Sequence, residues 1–187
     1  IAHLVNHVLK RLVVGMDATD TTGIWSKIYK AQLASHGLGA ATCLAMSGLD
    51  MACWDIKGKA VGWPLYKLLG GSRRAIPAYA GGVSLGYQEP ASLIDEARPH
   101  SEAGYKALKL RVGDTPKNDL ARVAAIRKAF GNDIEILTDV NVAYSLAQVR
   151  AIMPGFVENR VGWLEEPFAP HDYRSYRLAR GFGRTPL

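Results

Sequence analysis

The sequence has 187 residues, of which 48% are hydrophobic and 21% charged, a balance typical of a globular protein with a core; it excludes disorder, collagen-like repeats and a disulfide scaffold. The 23 Lys and Arg residues exceed the 17 Asp and Glu residues, but they are dispersed and form no basic stripe, so we expect no nucleic-acid partner. We find neither an apolar run of about 18 residues nor a secretory signal pattern, so we expect a cytoplasmic protein with no membrane partner.

The first part of the chain, up to about residue 75, is predicted to be mostly helical. Apolar residues recur at helical spacing over residues 1–12 and again over residues 24–33. A third helix, rich in small residues, is predicted over about residues 39–59, because Gly62 and Pro64 follow it. The sequence starts inside the first of these helices, so we expect the chain to be cut from a longer protein.

From residue 76 onward the pattern alternates between strands and helices, which predicts a parallel sheet built by right-handed crossovers. Pro154 is expected to bend or shorten the third of these helices, and residues 185–187 are expected to begin a fifth strand. The predicted strands cover residues 76–85, 105–112, 134–140 and 161–165, and the predicted helices cover residues 90–103, 115–130, 145–159 and 171–180.

Two α/β folds fit this alternation. An open doubly wound sheet that binds a nucleotide carries a G-x-G-x-x-G turn after its first strand, and residues 81–86 do not match that pattern. A (β/α) barrel instead places its chemistry at the C-terminal ends of several strands. We therefore predict a partial barrel, because the roughly 112 residues after Ala75 suffice for about four units of a fold that needs about 250 residues.

Polar side chains lie where three of the predicted strands end: Lys109 and Arg111, then Asp139 and Asn141, then Glu165. Residues two apart in a strand face the same way, so these side chains should reach one edge of the sheet. Two carboxylates and an amide oxygen suit a hard cation such as Mg²⁺. The alternative is ordinary solvation, because acidic residues are common at strand ends and lysine often extends to water.

Four segments resemble the mandelate racemase/muconate lactonizing enzyme family of the enolase superfamily, and the following His171-Asp172-Tyr173 resembles its mandelate racemase subgroup. The resemblance covers nearly the whole chain in order. The segments are the helical stretch 45–60 with its continuation to Gly71, a K-x-K-like strand at 104–113, a D-x-N strand at 137–141 and an E-E-P strand at 163–167.

The resemblance implies an α/β protein: a partial (β/α) barrel of the modified TIM-barrel type over residues 76–187, preceded over residues 1–75 by the helices of an α+β capping domain. It also implies Mg²⁺ as cofactor and removal of the proton α to a carboxylate of a small substrate. Asp139 and Glu165 take the positions of metal ligands. Lys109 takes the position of the cation beside the substrate carboxylate, and Arg111 that of a catalytic base.

Two departures from the family pattern affect function. Arg111 replaces a lysine, and because a guanidinium stays charged it is a poor base and is expected to clamp a carboxylate or hydroxyl group. The chain ends before the third metal ligand and before the later His-Asp acid/base pair that the family carries. We therefore expect this chain alone to be inactive. Asn141 is expected to orient Asp139 or to contact substrate.

For the parent protein we favour dehydration of an acid sugar, because one base on one face of the substrate suffices for it. Racemisation or epimerisation of a hydroxyacid and cycloisomerisation are the alternatives within the family. A hypothesis of another class is a non-catalytic fragment or an incompletely traced chain. An open four-unit sheet also exposes strand edges, so we expect a homo-oligomer.

Overall fold

The computed structural model describes residues 1–37, 39–81 and 85–187. The chain divides into two compact units, Ile1–Ala75 and Ile76–Leu187, and each has its own cluster of buried apolar side chains. The division lies where the sequence pattern changes from helical to alternating. In the described residues, no helix is both long and apolar enough to span a membrane.

The first unit is built from helices. Its three predicted helices are present, but π-helical turns interrupt the first two, and the apolar spacing gives no sign of them. Val5–Leu9 joins α1 to α2, and Tyr29–Leu33 joins α3 to α4. The helices are α1 (Ala2–Leu4), α2 (Lys10–Val13), α3 (Thr21–Ile28), α4 (Ala34–His36), α5 (Ala40–Val61) and α6 (Leu65–Leu68).

The core of the first unit lies along the long helix α5. Its buried residues come from four elements: Leu9, Ile24, Ile28, Leu33, Ala45, Met46 and Cys53. Gly62 caps the C-terminus of helix α5, and its φ of 67° lies in the left-handed region that favours glycine. The Trp63 amide then donates a hydrogen bond to the Gly58 carbonyl at 2.9 Å. Trp63 itself is 47% exposed, so it ends the helix without anchoring the core.

The second unit is a four-stranded parallel sheet in the order β1-β2-β3-β4, and each strand is followed by a helix. The predicted α/β class and partial barrel are therefore confirmed. The elements are β1 (Ala80–Gly81), α7 (Pro90–Glu102), β2 (Ala107–Arg111), α8 (Pro116–Phe130), β3 (Glu135–Asp139), α9 (Leu146–Glu158), β4 (Val161–Glu165) and α10 (Tyr173–Ala179).

Two predictions for this unit were wrong in detail, and one alternative is removed. Among the described residues of the first predicted strand, Ala80 and Gly81 form β1 and pair with β2; residues 82–84 lie outside the described residues. Pro154 was expected to bend or shorten α9, and it does not shorten the helix, which continues to Glu158, since its buried face supplies packing that outweighs one lost hydrogen bond. Residues 185–187 form no strand, although the Leu164 amide donates to the Pro186 carbonyl at 2.8 Å.

Side-chain caps begin three of the four helices of the second unit. Thr115 accepts a hydrogen bond from the Asn118 amide at the start of α8, and Asp172 accepts one from the Ser175 amide at the start of α10. Ser145 and Gln148 form a capping box at the start of α9. These caps limit the length of the loops that follow β2, β3 and β4, and so fix where each helix begins.

The sheet has one face against its helices. Leu108 and Leu110 of β2 are buried in the same apolar cluster as Ile136 of β3 and Leu164 of β4. The alternate residues of β2, among them Lys109 and Arg111, are only half-buried. Because side chains alternate along a strand, the apolar set fixes the register that sends the polar set to the opposite face.

Packing of α9 against the sheet gives the first prediction. Ile152 is 1% exposed, whereas Val157 on the same helix is 39% exposed. Ile152→Ala should lower the free energy of unfolding by about 2–5 kcal/mol, because it leaves a cavity in the core. Val157→Ala should change it by about 0.5 kcal/mol or less. Urea unfolding measures both values, and equal losses would contradict the described core.

Candidate active site

The ammonium group of Lys109 joins the carboxylates of two neighbouring strands. Lys109 Nζ lies 3.0 Å from Asp139 Oδ2 and 3.1 and 3.2 Å from the two carboxylate oxygens of Glu165. Asp139 pairs with Arg111 of β2 in the sheet register and with Glu165 of β4. The predicted convergence of Lys109, Asp139 and Glu165 on one edge is confirmed by these contacts; their roles in a reaction stay predictions.

Asn141 binds the other oxygen of Asp139. Both the Asn141 backbone amide, at 3.0 Å, and its side-chain amide donate to Asp139 Oδ1. Strand alternation is not the reason for this contact, because β3 ends at Asp139 and Asn141 lies beyond it with a φ of 50°. The left-handed turn folds Asn141 back onto Asp139, which orients that carboxylate.

Two aromatic residues that were not among the predicted site residues, Trp163 and Tyr79, complete the cluster. Trp163 Nε1 donates to Glu165 Oε2 at 3.2 Å. The Tyr79 ring stands edge-on to Trp163, with ring centroids 6.0 Å apart, and its centroid is 5.7 Å from Lys109 Nζ. The position of Trp163 two residues before Glu165 on one strand is a signal for such a contact. No local pattern indicates Tyr79, because its neighbours come from other strands.

The environment of Lys109 favours its charged form. Burial alone would lower its pKa, but the hydrogen bonds that it donates to Asp139 and Glu165, together with the negative charges of these carboxylates, outweigh burial and raise the pKa above that of an ordinary lysine. Lys109 is therefore a fixed cation at neutral pH and a poor proton acceptor. Its geometry suits charge neutralisation.

Arg111 reaches the same edge but stays outside the Lys109 cluster. Within the described part of the chain its guanidinium makes no hydrogen bond or ion pair. Its backbone amide donates to the Leu85 carbonyl at 2.7 Å, and a Cβ on Gly86 would lie 2.4 Å from Arg111 Cβ. The loop after β1 therefore lies directly on the backbone of Arg111, and the uncommitted guanidinium is available to an anion.

The carboxylate oxygens of Asp139 and Glu165 are the type of ligand that a magnesium ion prefers. Mg²⁺ is commonly held by one or two carboxylates, with water and substrate oxygens as its other ligands, and Asp139 and Glu165 both contact one cation already. Among the described residues, no group of three His, Cys, Asp or Glu residues could hold a metal. Asp139 and Glu165 are the two residues here that could supply carboxylate oxygens to the ion, and Asn141 and Trp163 bond to them.

Two family models match most of the chain. Residues 92–187 match the family model described as enolase C-terminal domain-like. Residues 1–70 match the model of the mandelate racemase / muconate lactonizing enzyme, N-terminal domain. The two matches follow the order of the two compact units.

An arabinonate dehydratase from Saccharolobus solfataricus is 33% identical over 87% of this chain and 44% of its own length. An enolase-superfamily structure from Polaromonas sp. JS666 is 51% identical, with a TM-score of 0.89 over 96% of this chain and 48% of that one. A racemase from Streptomyces coelicolor A3(2) with bound magnesium is 31% identical, with a TM-score of 0.89 over 99% of this chain and 55% of that one.

Other matched relatives are named as acid-sugar cycloisomerases and as an epimerase. The chain spans about half the length of the curated relatives it matches.

Replacing Lys109 by Met tests the shared ammonium. We expect the free energy of unfolding at pH 7 to fall by about 2–3 kcal/mol, because two carboxylates then face each other without a cation; the loss is moderated by the 37% exposure of Glu165. The matched control is Lys59→Met, which breaks the exposed pair of Lys59 with Asp55 and should change stability little.

The same variant gives a pH signature. Because the pKa of Lys109 is raised on folding, its stabilising contribution is complete below the pKa of an unfolded lysine, about 10.4. It is lost as the pH rises through the higher folded value. The difference in unfolding free energy between wild type and Lys109→Met should therefore be constant from neutral pH to the onset of lysine titration and shrink above it. A difference that persists unchanged at higher pH would contradict the shared ammonium.

Proposed function

Because the chain belongs to the mandelate racemase/muconate lactonizing enzyme family of the enolase superfamily, we propose that the protein carrying it removes the proton α to a carboxylate with the help of Mg²⁺. The observation that carries this proposal is the placement of Lys109 between Asp139 and Glu165 on three adjacent strands. That arrangement concentrates fixed charge where a substrate carboxylate would bind. The substrate we propose is an acid sugar.

The chemistry requires charge neutralisation. A proton α to a carboxylate is barely acidic, and negative charge grows on the carboxylate oxygens as the proton leaves. Lys109 is held as a cation by Asp139 and Glu165 and so can stabilise that charge. Mg²⁺, when bound by the two carboxylates, supplies further positive charge there. Asn141 keeps Asp139 oriented toward this point, because it bonds the oxygen that Lys109 does not contact.

Arg111 is proposed to hold the substrate. Its guanidinium stays protonated and offers a planar pair of donors that match a carboxylate or two hydroxyl groups. It is therefore unsuited to accept the α-proton on its side of the substrate. A reaction that needs a base on one side only is then favoured.

Dehydration meets that requirement, since one group can take the α-proton and return it to the departing hydroxyl. The similarity to an arabinonate dehydratase and to D-galactonate dehydratases supports dehydration. Cycloisomerisation is the second candidate, because relatives of equal identity are cycloisomerases of acid-sugar derivatives. Epimerisation needs acid/base groups on both sides and is less favoured by Arg111.

A panel assay tests the proposal. The protein that carries this chain is incubated in deuterium oxide with Mg²⁺ and a set of aldonic and aldaric acids. Dehydration yields a 2-keto acid, and epimerisation yields deuterium at the α-carbon without a 2-keto product. Asp139→Asn is the control for Mg²⁺ dependence and should abolish either signal. Turnover that survives both this substitution and removal of Mg²⁺ would contradict the proposal.

Arg111 gives a separate prediction. Arg111→Lys keeps the charge but loses the planar pair of donors, so KM should rise about tenfold, the equivalent of one charged hydrogen bond, with a small change in kcat. Arg111→Met should raise KM further. A fall in kcat at constant KM in both variants would instead assign Arg111 to the chemical step.

Two expectations about the whole protein stay predictions. Self-association into a homo-oligomer is proposed from the exposed strand edges, and light scattering measures it. A cytoplasmic location is proposed from the sequence pattern alone.

A further inference from the structure

A buried ion pair on helix α8 stands beside the candidate site but takes no part in the proposed reaction. Asp119 is fully buried and Arg122 is 8% exposed, and Arg122 Nη1 lies 3.0 Å from Asp119 Oδ1. Burying charges is unfavourable unless they are paired and hydrogen-bonded. Their remaining partners therefore indicate what the pair holds in place.

Asp119 binds the loops after β2 and β3. Its Oδ2 accepts a hydrogen bond from the Gly113 amide at 3.0 Å and another from the Tyr144 hydroxyl at 2.6 Å. Burial and the bond to Asp119 raise the pKa of the Tyr144 phenol, so Tyr144 stays protonated and keeps donating. One carboxylate oxygen thus connects the loop after β2 with the loop after β3.

Arg122 binds the loop after β1. Its Nη2 donates to the Tyr87 carbonyl and its Nε to the Gln88 carbonyl, each at 2.9 Å. Its Nη1 also contacts Asp114 Oδ2 at 3.1 Å. The guanidinium therefore fixes two successive carbonyls in the described part of this loop, residues 85–89.

Each of these loops leads directly to a residue of the candidate site. Gly113 follows Arg111 by two positions, and Tyr144 follows Asn141 by three. The loop after β1 contacts the backbone of Arg111 through the Leu85 carbonyl. The three loops thus position one substrate-binding group and the amide that orients Asp139.

We propose that Asp119, Arg122 and Tyr144, the Asp119 network, are positioning residues that set the geometry of the site by holding these three loops together. The effect on ligands rests on the proposed function, whereas the coupling of the loops does not. A network with this role alters the site when it is cut. A network that contributes stability alone lowers the unfolding free energy and leaves the site unchanged.

Helix α8 supplies a matched control. Arg127 donates to the backbone carbonyls of Ile134 and Gly131 at 2.7 Å and of Asn159 at 2.9 Å, near the starts of β3 and β4. It resembles Arg122 in binding backbone carbonyls beside the sheet, but it does so at the opposite ends of the strands. Substituting either arginine removes carbonyl contacts, and only Arg122 is expected to affect the site.

The test compares Arg122→Met, Tyr144→Phe and Arg127→Met in the 187-residue chain, with unfolding midpoints measured alongside. Residue-resolved hydrogen exchange follows the amides of Arg111 and Val142, which bond the carbonyls of Leu85 and Glu166. Free Mn²⁺, measured by electron paramagnetic resonance, gives the Mn²⁺ affinity. Tyr144→Phe removes a single hydroxyl, so it remains informative if Arg122→Met fails to fold.

Arg122→Met should speed exchange at Arg111, and Tyr144→Phe should speed exchange at Val142 and raise the Mn²⁺ dissociation constant about tenfold, as for other residues that orient a metal ligand. Arg127→Met should lower stability by a comparable amount, but it should leave exchange at Arg111 and Val142 and the Mn²⁺ dissociation constant unchanged. Equal effects from Arg127→Met, or unchanged exchange in both other variants, would overturn the positioning role. Faster exchange with no Mn²⁺ binding by wild type would support that role and contradict a metal site formed by Asp139 and Glu165 in this chain.

Discussion

The site depends on one ammonium group that satisfies two carboxylates from different strands. Asp139 and Glu165 end neighbouring strands, and without Lys109 their charges would oppose each other at a partly buried edge. The register of the parallel sheet makes this contact possible, because it places Asp139 directly between Arg111 and Glu165. A shift of one residue in the regular pairing of β2 with β3 would turn the side chains of one strand to the helix-covered face.

Two parts of helix α8 form hydrogen bonds at opposite ends of the strands around this contact. Near its first turn, Asp119 and Arg122 bind the loops at the carboxyl ends of the strands. Near its last turn, Arg127 binds backbone carbonyls at the amino ends. The two halves of α8 thus contact loops with different roles. In (β/α) barrels, the loops at the carboxyl ends of the strands hold the catalytic residues, whereas the loops at the amino ends contribute to stability.

Much of this architecture follows from local patterns in the sequence. The alternation of strands and helices predicted the parallel sheet, and the polar residues Lys109, Asp139 and Glu165 near the strand ends predicted the edge that they share. Thr115, Ser145 and Asp172 cap helices within a few residues of the predicted starts. The two π-helical turns were missed because they keep the apolar residues on one side of the helix.

The remaining features depend on contacts between residues distant in sequence. Tyr79 approaches Lys109 only because β1 and β2 are neighbours. Asn141 was expected to act on Asp139, and it does, but through a left-handed turn after the strand. Which side chains contact each other thus depends on the order of the strands and on the turns between them. The local sequence pattern indicates only which residues are candidates for the site.

The central claim is that Asp139 and Glu165 together bind one divalent cation beside Lys109. A crystal structure of the chain grown with Mn²⁺, with anomalous diffraction recorded at the manganese edge, tests it directly. We expect one anomalous peak in contact with both carboxylates, with the Lys109 ammonium displaced from between them. A peak elsewhere, or an intact Lys109 bridge at saturating Mn²⁺, would contradict the claim.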